Sequence, residues 1–309
     1  MKNKCCCCES ESCFPLYINI KDKEFNNPEK FSIYKCNNCG FEFTIPSLNE
    51  KQLSKFYPAD EYYSYQEYNR MAFLYHKISA YYYSRRNVLF NFLFFPFKQL
   101  LYPYYIKRGK NILEVGCGNG MKLEIYNNYQ MKTFGIEPYG KELTLNEKRL
   151  GIQRVNLNDC DFKENSFDYI ILKEVLEHVP DQKLVLSKCY RWLKPDGVFI
   201  ITVPNVGGLW NKIFKDNWYG YDIPRHIYNY NKTNIRFYLK KFGYKKIKTR
   251  IYDMPYMLDG SIKYYLTSKT GKRKHPFIFS NFMKIIAVPV SLVVTYLNQG
   301  SILEVRCSK

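Results

Sequence analysis

A short apolar segment that ends in three glycines is the first place where this sequence could do chemistry. Residues 112–120 read Ile-Leu-Glu-Val-Gly-Cys-Gly-Asn-Gly. Gly116 and Gly118 allow a tight turn and a close approach of the backbone to a ligand, because no Cβ is in the way. Dinucleotide-binding folds instead use Gly-x-Gly-x-x-Gly, whose third glycine brings a helix onto a pyrophosphate. The loop therefore predicts a ligand that lacks a pyrophosphate.

A second set of reactive residues lies at the amino terminus, where seven of the eleven cysteines fall within the first 39 residues. Cys5 and Cys8 form one Cys-x-x-Cys pair, and Cys36 and Cys39, followed by Gly40, form another. Two such pairs can place four thiolates around a tetrahedral zinc ion, and a glycine suits the turn around the metal. The pattern predicts structural rather than catalytic zinc, because four thiolates leave no open coordination position.

Two alternatives for these cysteines stay open. The additional thiols of Cys6, Cys7 and Cys13 could replace a predicted ligand, Cys5 above all. A disulfide cluster would need an oxidising compartment, and residues 1–4 run into the cysteines without the apolar core of an export signal. We therefore favour zinc and a cytoplasmic location.

Alternating strands and helices must position these residues. After the strand that precedes the glycine loop, further strands are predicted at 132–136, 153–155, 167–172, 198–203, 244–251 and 301–307. Turn-forming residues at 191–197 are predicted to end a helix, and Thr233 is predicted as the N-cap of a helix at 233–242. Glu137 ends the second strand, 21 residues after Gly116, where a carboxylate can accept both hydroxyls of a ribose.

The order and spacing of these features over residues 109–252 resemble class I S-adenosylmethionine-dependent methyltransferases. The resemblance rests on the glycine loop with Glu114, on Glu137, on the turn at 156–162 and on the segments 167–179 and 191–197. It implies an α/β, Rossmann-like methyltransferase fold: a seven-stranded, mostly parallel sheet with helices on both faces, its last strand antiparallel beside the fifth. It also implies an enzyme that uses S-adenosylmethionine.

The same resemblance implies which residues contact the cofactor. Glu137 would hold the ribose, and an acid in the turn at 156–162 would accept from the adenine amino group, with Asp159 the best match and Asp161 a near rival. Lys173 follows the fourth strand, at the edge where ligands collect in open α/β sheets. The remaining predicted contacts belong to the loop itself: Glu114, Gly116, Cys117, Gly118 and Gly120.

The acceptor site is predicted beyond the fifth strand. Residues 219–228 combine an acid, an arginine, a histidine and several tyrosines. His226 could act as the catalytic general base on an acceptor hydroxyl, because its unperturbed pKa lies near neutrality. Alternatively, Arg225 and His226 tie this loop to the sheet. His178, in the segment after strand four, is interpreted as a structural residue.

The order of the domains also resembles a bacterial group of methyltransferases, often linked to surface-glycan or other secondary biosynthesis. The predicted organisation is a zinc-ribbon module at 1–48, an aromatic helical lead-in at 49–108 and a methyltransferase domain at 109–309. Within that domain, an insertion at 253–300 is predicted to shape the acceptor site.

The composition admits other partners. The formal charge of +19 and the 30 tyrosines would suit nucleic acid, but the basic residues are scattered, and an AT-biased coding sequence would enrich the same residue types. Apolar stretches at 85–98 and at 285–297, the second broken by Pro289, are too short to span a membrane. They either touch the inner face of the membrane peripherally or cover the sheet, and we favour the second interpretation.

Together these features predict an S-adenosylmethionine-dependent methyltransferase with structural zinc. The expected acceptor is an oxygen of a small hydroxylated metabolite, a sugar or a glycan. One alternative is N- or C-methylation of a nucleotide-linked sugar. Another is a non-catalytic, zinc-bearing module that binds nucleic acid, against which the intact glycine loop and Glu137 argue.

Overall fold

The computed structural model describes residues 4–25, 27–57, 70–84, 101–140, 142–270 and 277–309. Two sheets organise these residues. The larger has seven strands: β4 (Asn111–Val115), β5 (Lys132–Ile136), β6 (Ile152–Gln153), β7 (Phe167–Lys173), β8 (Leu193–Pro204), β10 (Lys245–Tyr252) and β11 (Ile302–Ser308). Their order across the sheet is β10-β11-β8-β7-β4-β5-β6. Only β11 runs antiparallel to its neighbours β8 and β10 among these pairs, so the predicted Rossmann-like methyltransferase fold is confirmed.

The helices connect the strands and cover the sheet. They are α1 (Glu50–Leu53), α2 (Arg70–Ser84), α3 (Met121–Asn128), α4 (Leu145–Arg149), α5 (Gln182–Trp192), α6 (Leu209–Phe214), α7 (Lys232–Lys241), α8 (Pro255–Thr270) and α9 (Phe277–Tyr296). Among the described residues, no helix is both long enough and apolar enough to cross a membrane. The apolar stretch at 85–98 and the tyrosine-rich residues 58–63 lie outside the described residues.

Residues 191–197 end helix α5 as predicted, because the helix stops at Trp192. Strand β8, however, begins at Leu193 rather than at 198 and shifts register against β7 between Leu193 and Val198. Two further local predictions were wrong. Asn231, rather than Thr233, is the N-cap of α7, because its side chain accepts from two backbone N–H groups and Asn234 reciprocates. Pro289 lies inside α9 and does not break it.

The smaller sheet joins the amino terminus to the rest of the chain. It is antiparallel and contains β1 (Cys13–Lys21), β2 (Lys30–Cys36), β3 (Glu42–Ile45) and β9 (Tyr228–Asn229), in that order. Its last strand comes from the segment after β8. Phe41 is fully buried, with its ring centroid 5.3 Å from that of Tyr230. The amino-terminal sheet therefore shares a strand and a hydrophobic core with the α/β domain.

Candidate active site

A cavity of about 740 Å³ opens at the carboxyl ends of β4, β5 and β7. This is the edge at which open α/β sheets bind ligands. The cavity is lined by Glu50, Leu53, Tyr57, Ala72, residues 115–119, Met121, Lys122, residues 136–139, 156–158, 173–175 and 178–180, Val185, residues 219–220, Asp222, His226 and residues 256–257.

The glycine loop and Glu137 form one wall of this cavity. Gly116 and Gly118 have positive φ angles of 70° and 57°, a conformation that glycine adopts without strain. A Cβ on Gly116 would also overlap the side chain of Val175. The Gly118 N–H donates to Glu137 Oε2 at 2.9 Å, and the Tyr139 N–H donates to Oε1 at 3.2 Å. The carboxylate is thus held in a fixed orientation against the loop.

Burial raises the pKa of Glu137, and its two backbone hydrogen bonds oppose that shift by favouring the charged form. Each oxygen accepts one N–H in the structure and keeps a further lone pair. A ligand that offers two hydroxyls could therefore hydrogen-bond to this carboxylate without displacing either contact.

Not every predicted loop contact reaches the cavity. Gly116, Cys117 and Gly118 line it, whereas Gly120 instead begins α3 at a φ of 78°. Glu114 is also absent from the wall. It is fully buried beneath the loop and forms an ion pair with Lys122, which itself lines the cavity.

Neither of the predicted adenine-binding acids lines the cavity. Asp159 is exposed at the end of a short 3-10 helix and does not line the wall, whereas Asn156 and Asn158 do. Asp161 accepts a hydrogen bond from Trp192 Nε1 at 3.1 Å and pairs with Arg191. The wall at this point therefore offers amides in place of the expected carboxylate.

Lys173 and Glu174 follow β7 and both line the cavity. The Lys173 ammonium lies 4.2 Å from the centroid of the Tyr102 ring, and burial lowers its pKa. Sequence reasoning placed Glu174 beside Lys173 at the ligand-binding edge of the sheet but assigned it no role. Its φ of 53° is unusual for a residue with a side chain, and burial raises its pKa. Its Oε1 is buried without a hydrogen-bond partner among the described residues. Strained residues of this kind concentrate at functional sites.

Two histidines lie side by side on the wall of the cavity. His226 is buried and its ring centroid is 4.5 Å from that of His178. Burial lowers the pKa of both rings, and that of His178 falls to about 3. His178 Nδ1 lies 2.9 Å from the Tyr57 hydroxyl oxygen. Thus His178, which sequence reasoning treated as structural, reaches the cavity beside the predicted catalytic residue.

Arg225 fixes the loop that carries His226. Its guanidinium is fully buried and donates to both oxygens of Asp22 at 2.9 and 3.0 Å, and also to both oxygens of Asp222. Burial alone would raise the pKa of Asp222, but the adjacent guanidinium reverses the shift and lowers it. The acceptor loop is therefore clamped to the residue that follows β1.

The four cysteines predicted as zinc ligands come together at the start of the small sheet. One ligand atom from each of Cys5, Cys8, Cys36 and Cys39 lies within 4.8 Å of the others. The Cys5–Cys39 and Cys8–Cys36 sulfur pairs are 3.6 and 3.5 Å apart. These separations exceed a disulfide bond of about 2.05 Å and are near those of thiolates on a tetrahedral zinc ion. All four cysteines are free.

Comparison with known proteins adds a family match. A family model described as a methyltransferase domain matches residues 83–249. A probable S-adenosylmethionine-dependent methyltransferase of Mycolicibacterium smegmatis is 30% identical over 101 residues, which cover 31% of this chain and 39% of that protein. A ubiquinone biosynthesis O-methyltransferase of Haemophilus ducreyi is 32% identical over 109 residues, covering 31% of this chain and 46% of that protein. The chain thus matches less than half of the length of these two relatives.

A longer match is to an uncharacterised protein of Methanocaldococcus jannaschii, 30% identical over 206 residues that cover 61% of this chain and 76% of that protein. Among solved structures, a methyltransferase dependent on S-adenosylmethionine from Archaeoglobus fulgidus is similar with a TM-score of 0.45 and 16% identity. That similarity covers 78% of this chain and all of the other.

Proposed function

Because this chain belongs to the methyltransferase-domain family, we propose that it transfers a methyl group from S-adenosylmethionine to an oxygen of a small hydroxylated metabolite, a sugar or a glycan. One observation carries the proposal. Glu137 lies beside the glycine loop on the wall of the cavity, and each of its carboxylate oxygens accepts a hydrogen bond from a backbone N–H group. This is the arrangement that a ribose with two hydroxyls requires.

The residues on the wall fit the cofactor. The space above Gly116 and Gly118 admits a bulky ligand close to the backbone, and the loop lacks the Gly-x-Gly-x-x-Gly spacing that brings a helix onto a pyrophosphate. When bound, S-adenosylmethionine supplies an electrophilic methyl group on a sulfonium sulfur. In this proposal the side-chain amides of Asn156 and Asn158, which line the wall, hydrogen-bond to the adenine in place of Asp159.

The remaining wall suits a small polar acceptor. Tyr219, Tyr256 and His226 also line the cavity, in the part of the wall that we call the acceptor end, and they offer hydroxyl and imidazole groups. Glu174 lines the cavity too and carries a buried oxygen with no hydrogen-bond partner in the described part of the chain. These residues would orient the acceptor oxygen and exclude water, and orientation alone supplies much of the rate of a direct displacement.

We also propose that Cys5, Cys8, Cys36 and Cys39 bind a structural zinc ion. Gly40, at a φ of 66°, donates its N–H to the Cys36 carbonyl at 2.9 Å and forms the turn around the metal. Cys5 and Cys36 are buried in the hydrophobic core that Phe41 and Tyr230 share. Zinc there would hold the ends of β1 and β2 against the α/β domain.

Calorimetric titration with S-adenosylhomocysteine tests the cofactor site. Micromolar binding is expected for the wild type, and Glu137→Ala should weaken it about tenfold or more, because two charge-assisted hydrogen bonds are lost. Asp159→Ala is the matched control, since Asp159 is an exposed acid near the cavity but not on its wall. Its affinity should stay close to that of the wild type. Absence of binding by a folded, zinc-loaded wild type would contradict the proposal.

A further inference from the structure

A second cluster of metal-ligand types lies outside the cysteine site. Glu177, His178 and His226 each offer one ligand atom, and these atoms lie within 4.8 Å of one another. Zinc and similar ions bind imidazole nitrogen and carboxylate oxygen at about 2.0–2.2 Å, so ligand atoms around one ion are separated by roughly 3.3 Å. Small side-chain rotations would bring the three atoms to that spacing.

The ring nitrogens are oriented for metal binding. His226 Nδ1 lies 2.7 Å from the Gly220 carbonyl oxygen, and His178 Nδ1 lies 3.1 Å from the Arg225 carbonyl oxygen. A carbonyl oxygen only accepts, so Nδ1 of His226 carries the proton and its Nε2 keeps its lone pair. The same tautomer of His178 lets Nδ1 donate to the Arg225 carbonyl, and the Tyr57 hydroxyl oxygen 2.9 Å from that nitrogen can then act as a second acceptor. Metal-binding histidines typically have this arrangement, with the second nitrogen donating to a backbone carbonyl.

Glu177 provides an independent observation. Its side chain is fully buried, and neither carboxylate oxygen has a hydrogen-bond partner among the described residues. A buried carboxylate without a partner is costly unless it is neutralised or coordinates a metal. The guanidinium of Arg225 pairs with Asp22 and Asp222 instead. Among the described residues no cation is paired with the Glu177 carboxylate, so a bound metal ion would supply the missing charge.

We propose that Glu177, His178 and His226 bind a divalent transition-metal ion at the acceptor end of the cavity. Two imidazoles and one carboxylate suit zinc or a similar ion and leave coordination positions open. Both histidines line the cavity, so those positions face the acceptor. The substrate class that fits is a molecule with two adjacent oxygens, a vicinal diol or a 2-hydroxycarboxylate. This statement about substrate rests on the proposed methyl transfer, whereas metal binding itself does not.

The number of zinc ions per chain tests the site directly. The full chain is loaded with Zn²⁺, dialysed against a weak chelator to remove surface-bound ions, and analysed by mass spectrometry for metal content. Two zinc ions per chain are expected for the wild type, one at the cysteines and one at this cluster. Glu177→Gln and His226→Gln should each retain one. His76→Asn, which alters a buried histidine outside the cluster, should retain two.

Loading with Co²⁺ identifies which ion is lost. Cobalt bound to thiolates absorbs through sulfur-to-metal charge transfer, and that absorption is expected to be unchanged in His226→Gln. A wild type that holds a single ion at its cysteines would overturn the proposal, whether or not the variants fold. So would retention of both ions by Glu177→Gln and His226→Gln. Neither result depends on methyl transfer, so the proposed function could fail by cofactor titration while the metal site stands.

Discussion

The two ends of the cavity are built in different ways. The cofactor end, formed by residues 115–119, 136–139 and 156–158, comes from consecutive strand–loop units of one parallel sheet. The acceptor end is assembled from segments that are distant in sequence: it includes Tyr57, residues 178–180, residues 219–220, Asp222, His226 and residues 256–257. Arg225 and Asp22, for example, are 203 positions apart. The comparison shows that one end follows from local sequence and the other depends on tertiary contacts.

The contacts at each end reflect this difference. At the cofactor end, Glu137 is held by the N–H groups of Gly118 and Tyr139, which belong to the same strand–loop units. At the acceptor end, Tyr57 approaches His178 and Arg225 joins Asp22 to Asp222. Damage to the amino-terminal sheet should therefore disturb the acceptor end and spare the cofactor end.

Removal of one of the proposed zinc ligands should have the largest effect. A structural zinc ion in small domains contributes a binding free energy of about 10–16 kcal/mol. We expect Cys36→Ser to abolish hydrogen-exchange protection in β1–β3, while affinity for S-adenosylhomocysteine changes by less than roughly threefold, about 0.7 kcal/mol. Cys13→Ser is the matched control, because Cys13 lies outside the ligand set. Unchanged exchange in Cys36→Ser would show that the sheet does not depend on metal.

Removal of the buried arginine should have the next largest effect. Arg225→Leu leaves Asp22 and Asp222 without their cation in a site where the guanidinium is fully buried. Loss of one partner from a buried ion pair costs about 3–5 kcal/mol, measured here as the free energy of unfolding in urea. Arg191→Leu removes an arginine from an exposed pair with Asp161 and should cost far less. Equal losses in the two variants would contradict the clamp described here.

The smallest effect concerns a buried histidine beside the cofactor end. Burial, with help from Lys173 and Lys122, lowers the pKa of His76 from 6.5 to about 3. The unfolded chain therefore binds more protons than the folded one between these values, so the free energy of unfolding decreases as pH falls below 6.5. At pH 5 the loss from this group is about 2 kcal/mol. His76→Asn should reduce the difference between pH 7 and pH 5 by that amount, measured by urea unfolding, and an unchanged difference would refute the assignment.

The predictability of each region follows from the same comparison. Gly116, Gly118 and Glu137 were located from sequence, because a strand that leads into a glycine loop positions its neighbours through local geometry. Asp159 was selected by its position relative to Phe167 and Asp168, but it is exposed at the end of the 3-10 helix at 157–159, and Asn156 and Asn158 line the cavity instead. Which residue of such a turn reaches the cavity depends on how the turn packs and cannot be obtained from residue types alone.

The acceptor end was harder to predict for a physical reason. His226 was identified because histidine in a loop beyond the fifth strand suggests acid–base chemistry, and the structure does bring it to the cavity. Its neighbours Glu177 and His178 lie about fifty positions earlier in the sequence and meet it only through tertiary packing. The clamp between Arg225 and Asp22 likewise has no local signature. Each residue, considered by itself in the sequence, would be expected to lie on the surface as most charged residues do.

The pairing of β3 with β9 has a consequence for synthesis on the ribosome. Glu42 pairs with Asn229, so the fourth strand of the amino-terminal sheet can be added only after residues 228–229 have been synthesised. Until then Asp22 has no arginine partner, and the core around Phe41 lacks Tyr230. Contacts between such distant residues form slowly, since a long loop must close first. Residues 13–45 are thus translated before β9 but reach their final structure only after it.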